Sequence, residues 1–254
     1  FPLLSSYSNA TFIVDGADFD GTNDHMTRGA GLTGAVDSDL GILSVWLRVD
    51  GGDGTIRRFF NALDATGALV GPRFSLNASN QFLMTLVSDG FQQHSSALLA
   101  SSTWRHILAS WNKSSGSSGP AYLYVNDVSD QTVTNAGGGV GTEDWTFTNW
   151  VLGGASDISP ITQICNGCIA EFYLAPGQYL DFSIDANRRK FINTNGKPVN
   201  LGTDGSRPTG TAPLVYMHLD NNEAVANFAV NAGSDAGTFT ITGTLETSST
   251  SPSD

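Results

Sequence analysis

Hydrophobic and polar residues alternate with a period of two along most of this chain. Leu43, Val45, Leu47 and Val49 fall in one phase, with Ser44, Trp46 and Arg48 in the other. This is the pattern of a strand whose successive side chains point to opposite faces of a sheet. Ile107, Ala109 and Trp111 alternate in the same way with His106, Leu108 and Ser110, and Ala121, Leu123 and Val125 with Tyr122, Tyr124 and Asn126. Further strands are predicted over 73–76, 81–87, 145–152, 169–174, 214–220 and 238–242. Nearly all are bounded by Gly, Asn, Asp, Ser or Pro, the residues that separate strands by turns. In 81–87, Leu83 and Val87 oppose Phe82, Met84 and Leu86, which predicts a strand covered on both faces. Only 183–191 reads as a helix of about two turns. Ser183 is its expected N-cap, Asp185 lies in the first turn, Arg188 to Lys190 stand near the end, and Gly196 is the terminator. Ile184, Arg188 and Phe191 share its stripe. One short helix among so many strands predicts an all-β, two-sheet antiparallel sandwich.

A length of 254 residues fits one large β domain, and 40% hydrophobic with 10% aromatic residues suffices for its core. No repeat of 20 to 50 residues is present, so residues 1–254 are read as a single domain. Ser114 to Gly119 reads as a flexible surface loop, and Thr247 to Asp254 as a flexible tail. The formal charge of −12 and pI near 4.5 argue against a nucleic-acid partner, which rewards clustered Lys and Arg. No run approaches the roughly 18 to 20 apolar residues of a membrane helix, so membrane insertion is not expected. The chain opens at Phe1 without an initiator Met, which predicts a processed or trimmed start. Cys165 and Cys168 flank Asn166 and Gly167. They are too few for a zinc site. If Asn-Gly is a two-residue hairpin turn, the thiols face each other across it, bridged or free.

Four segments stand in a recognisable order. They are ADFDGTNDHM at 17–26, ILSVWLRV at 42–49, TWRHILASWN followed by AYLYVND within 103–127, and GCIAEFYLAPGQYLDFS at 167–183. Phe19-Asp20-Gly21 with its polar turn, the apolar strand carrying Trp46, and Trp104 with His106 opening the third segment are the landmarks. Tyr124 to Asp127, then Gly167, Ile169 and Glu171, complete the series. Together they resemble the laminin-G-like branch of the concanavalin A-like jelly rolls. That resemblance implies a jelly-roll sandwich, an extracellular setting, and binding rather than catalysis. It also raises calcium near the first strand, where Asp18, Asp20, Asn23 and Asp24 offer oxygens, although tight turns use the same residues and no cofactor is otherwise expected. The strand pair within 213–246 closes the chain where such domains often open, so C-terminal strands are expected to complete the sandwich. Chains with that tail arrangement resemble bacteriophage tail, fibre or head-decorating proteins, which implies a virion location.

The glycosidases of this fold carry closely spaced carboxylates on one strand. Here Glu occurs only at 143, 171, 223 and 246, and Glu143 and Asp144, being adjacent, point to opposite faces. Tyr216, His218 and Asp220 share one face of a predicted strand and form the best cluster for proton transfer, as in a polysaccharide lyase. The simpler reading is a half-buried His218 bonded to Asp220. No nucleophile elbow, phosphate loop or His-Glu-x-x-His motif is present. For ligand binding, Trp46, Tyr122 and Tyr124 lie off the apolar phase and are the candidates to stack on sugar, with core filling as the competing role. The expectation is a non-enzymatic structural or adhesive surface protein, a homo-oligomer among other structural proteins of an assembly, with contact to a cell-surface glycan or receptor. The alternatives are an extracellular carbohydrate-binding module, then a lyase or hydrolase of the same fold.

Overall fold

The computed structural model describes residues 12–64, 66, 68–86, 91–115, 120–135, 142–155 and 162–254. In chain order the first strands are β1 (Val14–Asp15), β2 (Ala17–Asp20), β3 (His25–Arg28), β4 (Leu40–Val49), β5 (Arg57–Leu63) and β6 (Leu69–Leu76). Next come β7 (Gln81–Leu86), β8 (Phe91–Ala97), β9 (Trp104–Asn112), β10 (Ala121–Val125), β11 (Val128–Ser129) and β12 (Thr132–Asn135). The remainder are β13 (Asn149–Leu152), β14 (Asn166–Pro176), β15 (Val215–Met217), β16 (Leu219–Asp220), β17 (Thr240–Thr242) and β18 (Glu246–Thr247). One sheet runs β11-β10-β9-β4-β14-β2-β18 with β15 also on β14, the other runs β12-β8-β7-β6-β5-β13-β3-β17, and β1 pairs with β16. Every pairing is antiparallel, giving the expected all-β, two-sheet sandwich with one short helix. C-terminal residues supply strands to both sheets.

The core lies between the sheets and takes the apolar phase of each strand. Leu43, Val45, Leu47 and Val49 of β4 and Ile107, Ala109 and Trp111 of β9 meet Phe60, Phe74, Phe82 and Met84 of the facing sheet. Each such side chain contributes about 1.5–3 kcal/mol by leaving water. Trp111, Trp145, Trp150, Phe60 and Phe172 pass ring to ring through this layer, with centroids 5.0 to 6.3 Å apart. Offset and tilted contacts of this kind add about 0.5–1.5 kcal/mol per pair.

The outer faces of the two sheets differ. Over the first sheet, Phe182, Phe191 and Leu201 close onto Ile42, Leu108, Tyr173 and Tyr216. Ile192 meets Val14, Trp46 and Ala170 beside them. The segment after β14 therefore roofs this sheet, and β4, β9 and β14 are buried on both faces. On the second sheet the corresponding row runs Val151, Asn61, Arg73 and Thr85 directly opposite one another across β13, β5, β6 and β7, with Asn61 and Thr85 buried.

Several local expectations are corrected. Asn166-Gly167 is no hairpin turn but the start of β14, paired with β2 on one side and β4 on the other. Gly167 has φ +138°, and a Cβ there would stand 2.0 Å from the Arg48 carbonyl oxygen, so close backbone approach is what requires glycine. Cys165 and Cys168 are both buried and free. Burial raises both thiol pKa values, that of Cys168 to about 12. The helix is one turn, α1 (Asp185–Arg188), with Ile184 rather than Ser183 at the cap and no side-chain cap bond. Ser183 instead donates both its N–H and its hydroxyl to Asp181. The 145–152 strand is confined to β13, and 214–220 is divided between β15 and β16. Residues 247–254, read as a flexible tail, lie packed on the body: Val14 N–H donates to Ser253 Oγ at 3.0 Å, and Ser251 Oγ donates to the Val14 carbonyl. Val87 and residues 116–119 of the predicted surface loop lie outside the described residues.

Candidate functional site

Trp46, Tyr122 and Tyr124 all lie on the outer face of the first sheet, since Trp46 opposes His106, Tyr124 opposes Leu108 and Tyr122 opposes Ser110. The segment over that sheet separates them. Tyr122 and Tyr124 are half-buried against the cluster of Phe182 and Phe191. Tyr124 lies under the Arg188 guanidinium at 4.6 Å, and Tyr122 shares hydrogen bonds with Tyr179 and Asp181. Trp46 is 3% exposed and stacks on His106 at a centroid distance of 4.8 Å. His106 is buried within β9, with its Nε2 2.8 Å from Ser44 Oγ, and burial lowers its pKa to about 3.

Trp46 nevertheless lines a cleft. With Trp104 it forms the aromatic wall of a cavity of about 310 Å3, whose other walls include Ser102, Thr103, Lys197, Thr250, Ser251 and Asp254. The alternation of β9 puts Trp104 in the phase of His106 rather than of Ile107, so it emerges on the outer face. The tail holds it there. Trp104 Nε1 donates to Thr250 Oγ1 at 3.0 Å, while Arg48 donates to the same oxygen at 2.6 Å and to Ser248 Oγ at 3.0 Å. The Arg48 guanidinium lies 5.9 Å from the indole centroid and is paired with Asp50 at 2.7 Å. Sequence reasoning took Trp104 only as a landmark; its phase, shared with Trp46 across the ladder, was the signal that pointed to the cleft. An indole face beside hydroxyls, one ammonium and one carboxylate suits a polyhydroxylated ligand, which stacks its C–H face and hydrogen-bonds at its rim.

Of the residues suggested for calcium, Asp20 and Asp24 accept from backbone N–H groups, and Asp18, Asp20 and Asp24 together line a cavity of about 330 Å3. Asp20 Oδ1 accepts from the N–H groups of Thr22, Asn23 and Asp24 at 2.8 to 3.2 Å. Burial raises the Asp20 pKa, but those amides and Thr22 outweigh it and hold the carboxyl below its usual value. Asp24 accepts from Asp20 N–H at 3.2 Å and from Thr244 N–H at 2.7 Å. Glu143 is buried in an ion pair with Lys113.

A second constellation is built around Glu171. On β14 the register with β4 shifts between Ala170 and Tyr173, and Glu171 takes the left-handed region with φ +48°. On the other edge of β14 the neighbour changes here from β2 to β15. Bulge and handover together turn the Glu171 carboxylate toward Tyr216, whose hydroxyl donates to Oε2 at 2.8 Å. The Tyr216 and His218 rings stack at 4.4 Å, and His218 Nδ1 stands 3.2 Å from Asp220 Oδ2. Burial raises the Glu171 pKa to about 8 against the lowering effects of His218 and Tyr216. At His218 burial works downward, but Asp220, Glu171 and Glu223 outweigh it and raise the pKa. Tyr216, His218 and Asp220 thus meet as their shared face predicted, and Glu171 is the member that sequence reasoning noted only as a landmark. Tyr216 is buried with its hydroxyl engaged, so this cluster presents no phenol to a polymer.

The profile of the concanavalin A-like lectin/glucanases superfamily matches residues 20–179. Among solved structures, the fold is similar to that of a Bacteroides ovatus protein whose assignment as carbohydrate-binding is provisional, with TM-score 0.58, 11% identity and coverage of 94% of this chain and 61% of that one. This chain thus spans about three fifths of the length of that relative. Domains LG4-5 of the mouse laminin α1 chain align with TM-score 0.45 and 18% identity over 66% of this chain and 44% of theirs. The heptameric SAP-like pentraxin of Limulus polyphemus aligns with TM-score 0.48 and 11% identity over 83% of this chain and 93% of its own. No curated protein sequence matches the chain significantly.

Proposed function

The chain belongs to the concanavalin A-like lectin/glucanases superfamily, and on that premise we propose that it is a non-catalytic, extracellular adhesive domain that binds carbohydrate in the Trp46–Trp104 cleft. The observation that carries this reading is the half-buried Trp104 indole, fixed by Thr250 and surrounded by hydroxyls, Lys197 and Asp254. Tyr122 and Tyr124 serve the roof over the sheet rather than the ligand. The finer setting, a virion surface shared with other structural proteins and occupied by several copies, is supported by the resemblance of the 213–246 segment; imaging particles labelled with antibody against this chain tests it.

A glycan array with the purified chain is expected to give saturable binding to at least one sugar class. Trp104→Ala should weaken that binding about tenfold or more, the equivalent of about 1.4 kcal/mol, with the melting curve still cooperative. Lys197→Ala, which leaves the indole and its Thr250 bond in place, is expected to weaken the same sugar by a smaller factor. Saturable binding that both variants leave unchanged moves the ligand elsewhere, and a wild type that binds no sugar ends the reading.

A further inference from the structure

We propose that Glu171, His218 and Asp220 form a three-residue site for a divalent transition cation, with zinc as its probe. One ligand atom from each, with those of the other two, falls within 4.8 Å of its partners. Metal–ligand bonds of about 2.1 Å place two ligands of a tetrahedral ion about 3.4 Å apart. The 3.2 Å between His218 Nδ1 and Asp220 Oδ2 already matches that spacing, and Glu171 lies within 4.8 Å of both.

What separates this cluster from an ordinary group of acids is the set of valences left open. Glu171 is 2% exposed, and its Oε1 has no hydrogen-bond partner while Oε2 accepts from Tyr216. His218 Nδ1 is paired with Asp220 Oδ2 at 3.2 Å, which leaves Asp220 Oδ1 as the second unpartnered oxygen of the cluster. A buried carboxyl oxygen without a partner is costly, by about 1–3 kcal/mol. A cation accepted by all three atoms removes that cost at once. Two carboxylates and one imidazole make a mixed oxygen and nitrogen set, which suits zinc or manganese better than calcium. Tyr216, bonded to Oε2, is the outer group that orients the ligand. His218 also lines a cavity of about 340 Å3 together with Glu223, Asn227, Val230 and Ala232, while Glu171 and Asp220 lie behind it. The strained backbone of Glu171, at φ +48°, fits a residue held for a site rather than for the ladder.

The test is calorimetric titration of zinc sulfate into the EDTA-stripped full chain. One-to-one saturable uptake is expected, weakened at least tenfold in Glu171→Gln and in His218→Ala. Cys168→Ser is expected to bind as the wild type does, since it alters only the separate grouping of Asp18, Asp50 and Cys168. Absence of saturable uptake, or uptake undiminished in both ligand variants, overturns the proposal. Should those variants not fold by circular dichroism, wild-type crystals soaked in zinc decide it: anomalous density between the three side chains supports the site, and density only elsewhere, or none, overturns it.

Discussion

Between pH 7 and pH 4 the stability difference between the wild type and His106→Gln is expected to move by about 3 kcal/mol in favour of the variant. His106 is fully buried between Ser44 and Trp46, and its pKa falls from 6.5 to about 3. The unfolded chain therefore takes up a proton on this residue below about pH 6.5, while the folded chain refuses it until about pH 3. Folding stability contributed by the neutral imidazole is complete above the unfolded value and drains as the pH falls through that window. The comparison must be made between the two proteins because Glu171, with its pKa raised to about 8, acts in the opposite sense and gains stability on acidification from pH 8 toward 4.5. Urea denaturation of both at pH 7 and pH 4 measures the shift. A difference that stays constant with pH would show that His106 is solvated in the native state.

Glu143→Leu is expected to destabilise the fold by about 3–5 kcal/mol, and Lys113→Met with Glu143→Leu to return most of it. The Lys113 and Glu143 side chains are 2% and 1% exposed and form a direct ion pair. Around it the backbone is closely tied, with Glu143 and Ser38 exchanging both N–H···O bonds and Lys113 N–H donating to the Asp39 carbonyl. Removing one member takes the pair's attraction from the other, buried charge, whereas replacing both by apolar groups of similar volume removes the desolvation cost with the attraction. A double variant no more stable than the worse single one contradicts this account. Burial in the pair also closes Glu143 to any catalytic part.

The sandwich was legible because period two assigns each strand two faces, and the phase holding Leu43, Val45, Leu47 and Val49 is the phase that meets the opposite sheet. The same periodicity is silent on what covers the other face. Trp46, Tyr122 and Tyr124 were rightly set in the second phase, but Phe182, Phe191, Ile192 and Leu201, which lie over or beside them, sit in irregular backbone with no period to mark them. Asn166-Gly167 misled for a physical reason: the dipeptide signals a turn through glycine's backbone freedom, whereas here glycine answers a crowding demand from the Arg48 carbonyl. The Trp46–Trp104 cleft was half visible, since both indoles share one phase, but its remaining wall comes from Lys197 and the last residues of the chain. Glu171 joins Tyr216 across 45 positions of sequence, and only the exchange of β2 for β15 beside β14 brings them together.

Because β4, β9 and β14 have apolar cover above and below, their amide protons should report on the whole molecule at once, exchanging with deuterium only when the protein opens globally. The outermost strands β11 and β18 of this sheet, with exposed residues and a single neighbour each, should instead lose their protons through local fraying. A mass-resolved uptake series is thus expected to divide one sheet into a slow centre and a quick margin, and the slowest peptides should be those spanning 40–49, 104–112 and 166–176.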